Sequence, residues 1–231
     1  MDSRKRLISY ALKYNGNYNA IKKAIELSEK VEEKDYSNCI TIFDDIYPNE
    51  FLQLKSPPFV LFYKGNLELL KEDKIAIVGS RKPCEYSIEA TKYIATNRKE
   101  VIVSGLAKGI DGVAHCYASK SIGVIGCGID YIYPFENYYL YKRLEKDGLI
   151  LSEYPHTVKP FPSNFPFRNR LIAALGKEIL IMEAHEKSGT LTTINEALEL
   201  GKEIKVLPFN IFDKCGKYNN ELIYEGATII N

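Results

Sequence analysis

The sequence predicts an α/β protein built on a mostly parallel sheet with helices on both faces. Two observations carry that prediction. Short apolar runs recur at 75–78 (IAIV), 101–103 (VIV), 122–126 (IGVIG), 149–151 (LIL), 179–182 (ILIM) and 204–207 (IKVL). Stretches of helical length separate them, at 85–97, 112–120, 136–146 and 190–201. Strands alternating with helices require right-handed crossovers and a parallel sheet covered on both sides.

The elements follow in chain order. Residues 3–14 and 18–34 have helical composition, parted by the turn-forming Asn15-Gly16-Asn17. Ile21, Ala24, Ile25, Leu27, Ser28 and Val31 form an apolar stripe at helical spacing, with Lys and Glu outside it. Residues 1–38 are therefore expected to be a helical extension docked on a larger unit spanning 39–231. Between 35 and 74, Pro48 and Pro57-Pro58 punctuate the chain and FVLFY (59–63) reads as a strand. From 75 onward the regular alternation takes over, with no internal repeat.

Composition narrows the function classes. A chain of 231 residues buries a real core without disulfides or metal. Five cysteines, odd in number and lacking a C-x-x-C pair, argue against a disulfide framework and a zinc site. No apolar run approaches the roughly 18–20 residues that span a bilayer, and the N-terminus lacks a secretory pattern. The expectation is a cytoplasmic protein with no membrane partner. Net charge is only +1, yet Tyr154 to Lys177 holds Lys159, Arg168, Arg170 and Lys177 with no Asp or Glu.

The segments after the strands carry the functional signal. They are Gly79-Ser80-Arg81, SGLAKGID from Ser104, GCGIDYIYPFEN from Gly126, SEYP from Ser152 and EAHEKSGT from Glu183. In a parallel sheet all these carboxyl ends share one edge, where open α/β folds bind ligands. Glycines at loop–helix junctions let successive N–H groups face outward, and the helix adds its positive end. SGLAKGID and Ser188-Gly189-Thr190 both run into helices in this way. Arg81, Lys108, Arg168 and Arg170 add cations, so the rim is expected to hold an anionic ligand.

Other residues have plainer readings. Asp111 is expected to cap the helix beginning at 112, and His115 to be packed inside. Glu153 and Glu183 each end a strand at the rim without a second residue to work with. Tyr131, Tyr133, Phe135, Tyr138 and Tyr139 are expected mainly in the core, with one or two left to stack on bases. The G-x-G-x-x-G fingerprint, the Walker A sequence and the G-x-S-x-G elbow are all absent. No cofactor, metal or catalytic residue is expected.

Seven ordered motifs then point to a family. IAIVGSRKP, IVSGLAKGIDGVAH, GVIGCGIDYIYPFEN, LILSEYP, FPFRNRLIAALGKEILIMEA, SGTLTTINEALELGKEI and NNELIYEGATII together resemble the DNA-processing protein A family (DprA, also called Smf). The resemblance covers residue 39 to the end. It implies an extended Rossmann-like domain that binds single-stranded DNA without being an enzyme. Such a protein protects incoming strands during natural transformation, dimerises and helps load the RecA recombinase.

By motif, the resemblance places DNA phosphates on Gly79, Ser80 and Arg81, on the loop from Ser104 and Gly105 to Lys108 and Gly109, and on Arg168, Asn169 and Arg170. Three departures stand out. Many members carry a winged-helix module after this domain, which the sequence given does not contain. The usual Pro-Gly after the last strand is Pro208-Phe209, and Thr190-Leu191-Thr192-Thr193 replaces small hydrophobic residues.

Two other functions remain open at this point. One is a nucleotide-binding sensor using the same rim. The other is a phosphoribohydrolase-like enzyme splitting nucleoside monophosphates, whose P-G-G-x-G-T-x-x-E loop is approached only by Ser188-Gly189-Thr190. Thr193 stands where that loop needs its carboxylate, and Glu196 comes three positions later.

Overall fold

The computed structural model describes residues 2–156, 158–186 and 188–230. Lys187, within the EAHEKSGT loop, lies outside them. The apolar runs read from the sequence are strands β3 (Lys74–Gly79), β4 (Val101–Ser104), β5 (Ser121–Gly128), β6 (Leu149–Tyr154), β7 (Glu178–Glu183) and β8 (Glu203–Val206). FVLFY contributes to β2 (Val60–Gly65), and two short strands, β1 (Cys39–Thr41) and β9 (Thr228–Ile229), complete the sheet. Among the described residues the order is β1-β2-β6-β5-β4-β3-β7-β8-β9. β3 to β9 pair parallel; β2 runs antiparallel to β6, and β1 antiparallel to β2.

Side chains alternate across a strand, so each strand feeds two cores. Val78, Val103, Val124, Leu151 and Ile181 face α6 (Asn164–Leu175) and α7 (Thr190–Glu199). On the other side, Ile77, Ile102 and Met182 pack with α3 (Glu85–Asn97) and α4 (Ile110–Tyr117). Phe62, Ile125 and Ile150 on that side meet α5 (Tyr138–Asp147) together with α1 (Ser3–Lys13) and α2 (Tyr18–Glu26). Leu7, Ile8, Tyr10, Ala11, Ile21 and Ala24 are buried there, so the N-terminal helices share this core. A last helix, α8 (Lys217–Tyr224), precedes β9.

Several boundaries differ from the sequence expectation. The second helix ends at Glu26 instead of running to 34: Leu27 caps it and Ser28 turns left-handed at φ 48°. Past that point the charged run 29–35 has only Val31 to bury. Helix α4 begins at Ile110, two residues early, because Gly109 supplies the positive φ that turns the chain into it. No helix among the described residues is long and apolar enough to cross a membrane.

Candidate functional site

The strand order reverses at one point. The chain steps outward from β3 through β4 and β5 to β6, then returns to lay β7 on the other side of β3. Helix α3 covers one face and α7 the other. Their loops therefore part at the carboxyl ends of β3 and β7, the position where open α/β sheets bind ligands. A cavity of about 710 Å³ fills this crevice, lined by both loops and the start of α6.

The β3 loop is built by close approach. A Cβ on Gly79 would lie 2.7 Å from Ile110 Cγ1 and 3.1 Å from the Glu183 backbone, so a larger residue here would push against α4 and the end of β7. The Ser80 carbonyl accepts the Ile110 N–H at 3.1 Å, and its hydroxyl accepts the Lys82 N–H at 3.1 Å. Gly109 sits at φ 75°, where a Cβ would come within 2.8 Å of Arg81 Cα. These contacts turn Arg81 and Lys82 outward. Both are exposed and have no ion-pair partner among the described residues. The Arg81 guanidinium lies 5.7 Å above the Phe165 ring.

Beneath that rim is a buried polar floor. Asp111 Oδ2 accepts the N–H groups of Gly105 (3.1 Å) and Ala107 (3.4 Å). Its expected capping role is corrected: Asp111 lies inside α4 and ties down the preceding loop instead. Arg168 donates to the carbonyls of Gly105 (2.9 Å) and Val124. Burial raises the Asp111 pKa, and the Arg168 charge opposes that shift. Burial likewise lowers the Arg168 pKa, opposed by Asp111.

His115 Nε2 accepts the Leu106 N–H at 3.3 Å, which leaves the proton on Nδ1, 2.5 Å from the Ser121 hydroxyl. Burial, aided by Arg143 and Arg168, pushes the His115 pKa down to about 3, so the ring is neutral. His115 is packed inside as expected, and it shapes the 105–109 loop.

The opposite rim is the start of α7. The amides of Gly189 and Thr190 have no acceptor among the described residues, and nothing stands within 4 Å of the Gly189 Cβ position. Asn169 Nδ2 holds this loop through the Gly189 carbonyl at 3.1 Å, while its Oδ1 accepts from Arg168 Nε at 3.1 Å. Ser188 also lines the crevice.

Thus Gly79, Ser80, Arg81, Arg168, Asn169, Ser188, Gly189 and Thr190 all border one cavity. Gly105 and Lys108 border a small adjoining hollow that shares Arg81 and Arg168.

Other expected ligands face elsewhere. Ser104 is fully buried and donates to the Ile77 carbonyl at 2.6 Å. Gly105 spends both its amide and its carbonyl inside the floor. Arg170 is 4% exposed and lies outside the cavity wall. Its guanidinium grips Glu153 at 2.6 and 2.7 Å, bonds the Ser56 carbonyl at 3.1 Å and stacks on Phe167 at 3.7 Å. Residues two apart on a helix point to opposite sides, so Arg168 and Arg170 cannot both face one ligand. Lys108 is exposed but paired with Glu136. Glu183 accepts from the Cys84 N–H (2.8 Å) and Ser87 hydroxyl (2.7 Å), anchoring the start of α3.

The aromatic cluster also departs from expectation. None of Tyr131, Tyr133, Phe135, Tyr138 and Tyr139 is buried, because the chain leaves the sheet after β5. Phe135 is 73% and Tyr139 83% exposed. Tyr133 leans on Phe165 at 5.6 Å, and together they separate the crevice from a third hollow bordered by Lys108 and Phe135. Phe165, Lys82 and His185 line the crevice without having been singled out in the sequence. Lys82 was the accessible one, following Arg81 directly. Among the described residues no group of three or more His, Cys, Asp or Glu is placed to hold a metal.

These features define a doubly wound α/β protein with a cation-lined crevice at its switch point. A family profile described as DNA recombination-mediator protein A matches residues 38–231, and the chain belongs to that family. It is 41% identical over 201 residues to DNA processing protein DprA of Bacillus subtilis, covering 84% of this chain and 68% of that one. The crystal structure of DprA from Streptococcus pneumoniae superposes with a TM-score of 0.80 at 32% identity, covering 99% of this chain and 90% of that one. The structure of DNA processing protein A from Helicobacter pylori, which binds single-stranded DNA, gives a TM-score of 0.76 at 35% identity. It covers 84% of this chain and 92% of that one.

Proposed function

We propose that the crevice binds single-stranded DNA without sequence preference and without chemistry, serving recombination and DNA uptake. One observation carries this reading: Arg81 and Lys82 border the crevice exposed and without an ion-pair partner, while its one lining acid among the described residues, Asp111, is committed to the floor beside Arg168. Local charge therefore favours a polyanion although the whole chain is close to neutral. The small adjoining hollow extends the path past Phe165 and Tyr133 toward Lys108 and stops short of the third hollow, which Asp130 and Glu136 border. That gives bases rings to stack on while backbone phosphates follow the cations. Gly189 and Thr190 offer the opposite rim two amides at the positive end of α7.

The commitment of Glu153 and Glu183 to structural partners supports a binding role over an enzymatic one. Protection of strands, loading of RecA and a reducing, cytoplasmic setting are part of this reading by resemblance to the family, and five free thiols suit that setting. A homodimer is also part of this reading. The β9 edge is unpaired on one side among the described residues, and the segments leading into it expose Ile211, Phe212 and Tyr224. An exposed apolar edge invites pairing.

Fluorescence anisotropy with labelled single strands, duplexes and mononucleotides tests the proposal. Single strands should bind tightest, with affinity rising with length and falling steeply with salt, about 0.7 log units per log unit for each phosphate contact. Arg81→Ala should weaken all sequences alike and lower that slope by about one contact. Unchanged affinity in Arg81→Ala at moderate salt would refute the assignment.

A further inference from the structure

A separate hollow, of about 380 Å³, lies between the α1–α2 turn and the segment leading into α6. It takes Asn164 and Phe167 from the same helical turn that gives Phe165 and Arg168 to the crevice. Its volume falls within the about 300–1,000 Å³ typical of small-ligand sites.

Its chemistry differs from that of the crevice. Among the described residues no Lys, Arg, Asp or Glu lines it. Tyr18 is one wall, fixed by stacking on Phe59 at 4.9 Å and an angle of 11°. Phe161 stands 56% exposed at the mouth. Asn15 and Asn19 are exposed and Asn164 is half-buried, and among the described residues no protein group hydrogen-bonds their side-chain amides. Tyr154, only 7% exposed, also lines the hollow, and its hydroxyl has no partner there either. Burial raises the Tyr154 pKa, so this hydroxyl is neutral.

Flat rings favour a flat ligand, and unpaired amides offer both donors and acceptors to its edge. The absence of charge disfavours a phosphate or carboxylate. We propose that this hollow is a second binding site, for a planar, uncharged heterocycle of the nucleobase class, stacked against the rings and hydrogen-bonded by the amides and the Tyr154 hydroxyl. The base belongs either to a free nucleoside or to an unstacked nucleotide of a strand held in the crevice; the latter source rests on the function proposed above.

Ligand-observed NMR of the full chain with adenosine, cytidine and ribose, paired with oligonucleotide anisotropy, tests it. Phe161→Ala and Asn19→Ala alter exposed side chains, and Tyr154→Phe removes only the hydroxyl. If the source is free nucleoside, adenosine or cytidine saturates while ribose does not. Each variant then weakens binding, Phe161→Ala about tenfold, and Arg81→Ala has no effect. If the source is the bound strand, the same variants weaken oligonucleotide affinity about tenfold without changing its salt slope, whereas Arg81→Ala changes the slope. The proposal is overturned if nucleosides do not bind and the three variants hold oligonucleotides as the wild type does. Oligonucleotide binding lost only in Arg81→Ala would leave the crevice reading intact and remove this one. Nucleoside saturation with no oligonucleotide binding would do the reverse.

Discussion

Arg168 and Arg170 stand two residues apart on one helix and meet different surroundings. Arg168 sits under the crevice with its charge facing Asp111, whereas Arg170 is locked to Glu153 beyond the cavity wall. Removing one partner of a buried pair strands the other charge, at a cost of about 3–5 kcal/mol. Arg170→Ala should therefore lower stability in urea melts by about that amount. Its salt slope for oligonucleotide binding, measured where the variant is folded, should match the wild type.

His115 makes a pH prediction. Its folded pKa lies well below the ordinary value of 6.5, so the unfolded chain takes a proton that the folded one refuses. This contribution is complete above pH 6.5 and is lost as pH falls toward about 3. Within that window it costs about 1.4 kcal/mol per pH unit. Asp111, whose pKa is raised, works in the opposite sense, so the comparison needs a variant. Denaturant melts from pH 7 to 5 should show a flatter acid dependence in His115→Gln than in the wild type.

At the scale of elements, the crevice depends on one glycine joining two loops. Gly109 combines a positive φ with contact against the Ser80–Arg81 backbone. Gly109→Ala should cost about 1–3 kcal/mol of stability through strain. It should also weaken single-strand binding by displacing Arg81, and a thermal melt beside an anisotropy titration would show both. The glycine was legible as part of SGLAKGID; its contact with the β3 loop was not, since it joins residues far apart in sequence.

Helix α6 shows a different limit. Leu171 to Leu175 are all buried, as are Arg168 and Arg170. A helix enclosed on nearly every side has no polar face to set a 3.6-residue period. Its sequence therefore reads only as a basic segment without acids. The strands were easier, because buried parallel strands are short apolar runs bounded by turn residues.

At the scale of the molecule, the sheet has two unlike ends. β1 lies under α1, while β9 leaves an edge flanked by the 88%-exposed Phe212 and the 83%-exposed Ile211. If that edge joins two copies, Ile211→Glu with Phe212→Glu should give monomers in sedimentation velocity where the wild type gives dimers. Binding per chain to short oligonucleotides should persist, since the crevice lies within one chain. A wild-type chain that sediments as a monomer at all concentrations would remove the dimer from the proposed function.

By itself, the sequence determined the alternation of strands and helices, and hence the edge on which glycines, hydroxyls and cations gather. Those features are local: apolar run length, turn residues and the directionality of a parallel sheet. Only the tertiary structure decided which cations remain available to a ligand. Arg81, Arg168 and Arg170 are chemically identical in sequence, yet one faces solvent over Phe165, one supports a loop and one is paired with Glu153. Burial and partner are set by residues distant in the chain, and they determine whether a guanidinium binds a ligand or holds the protein together.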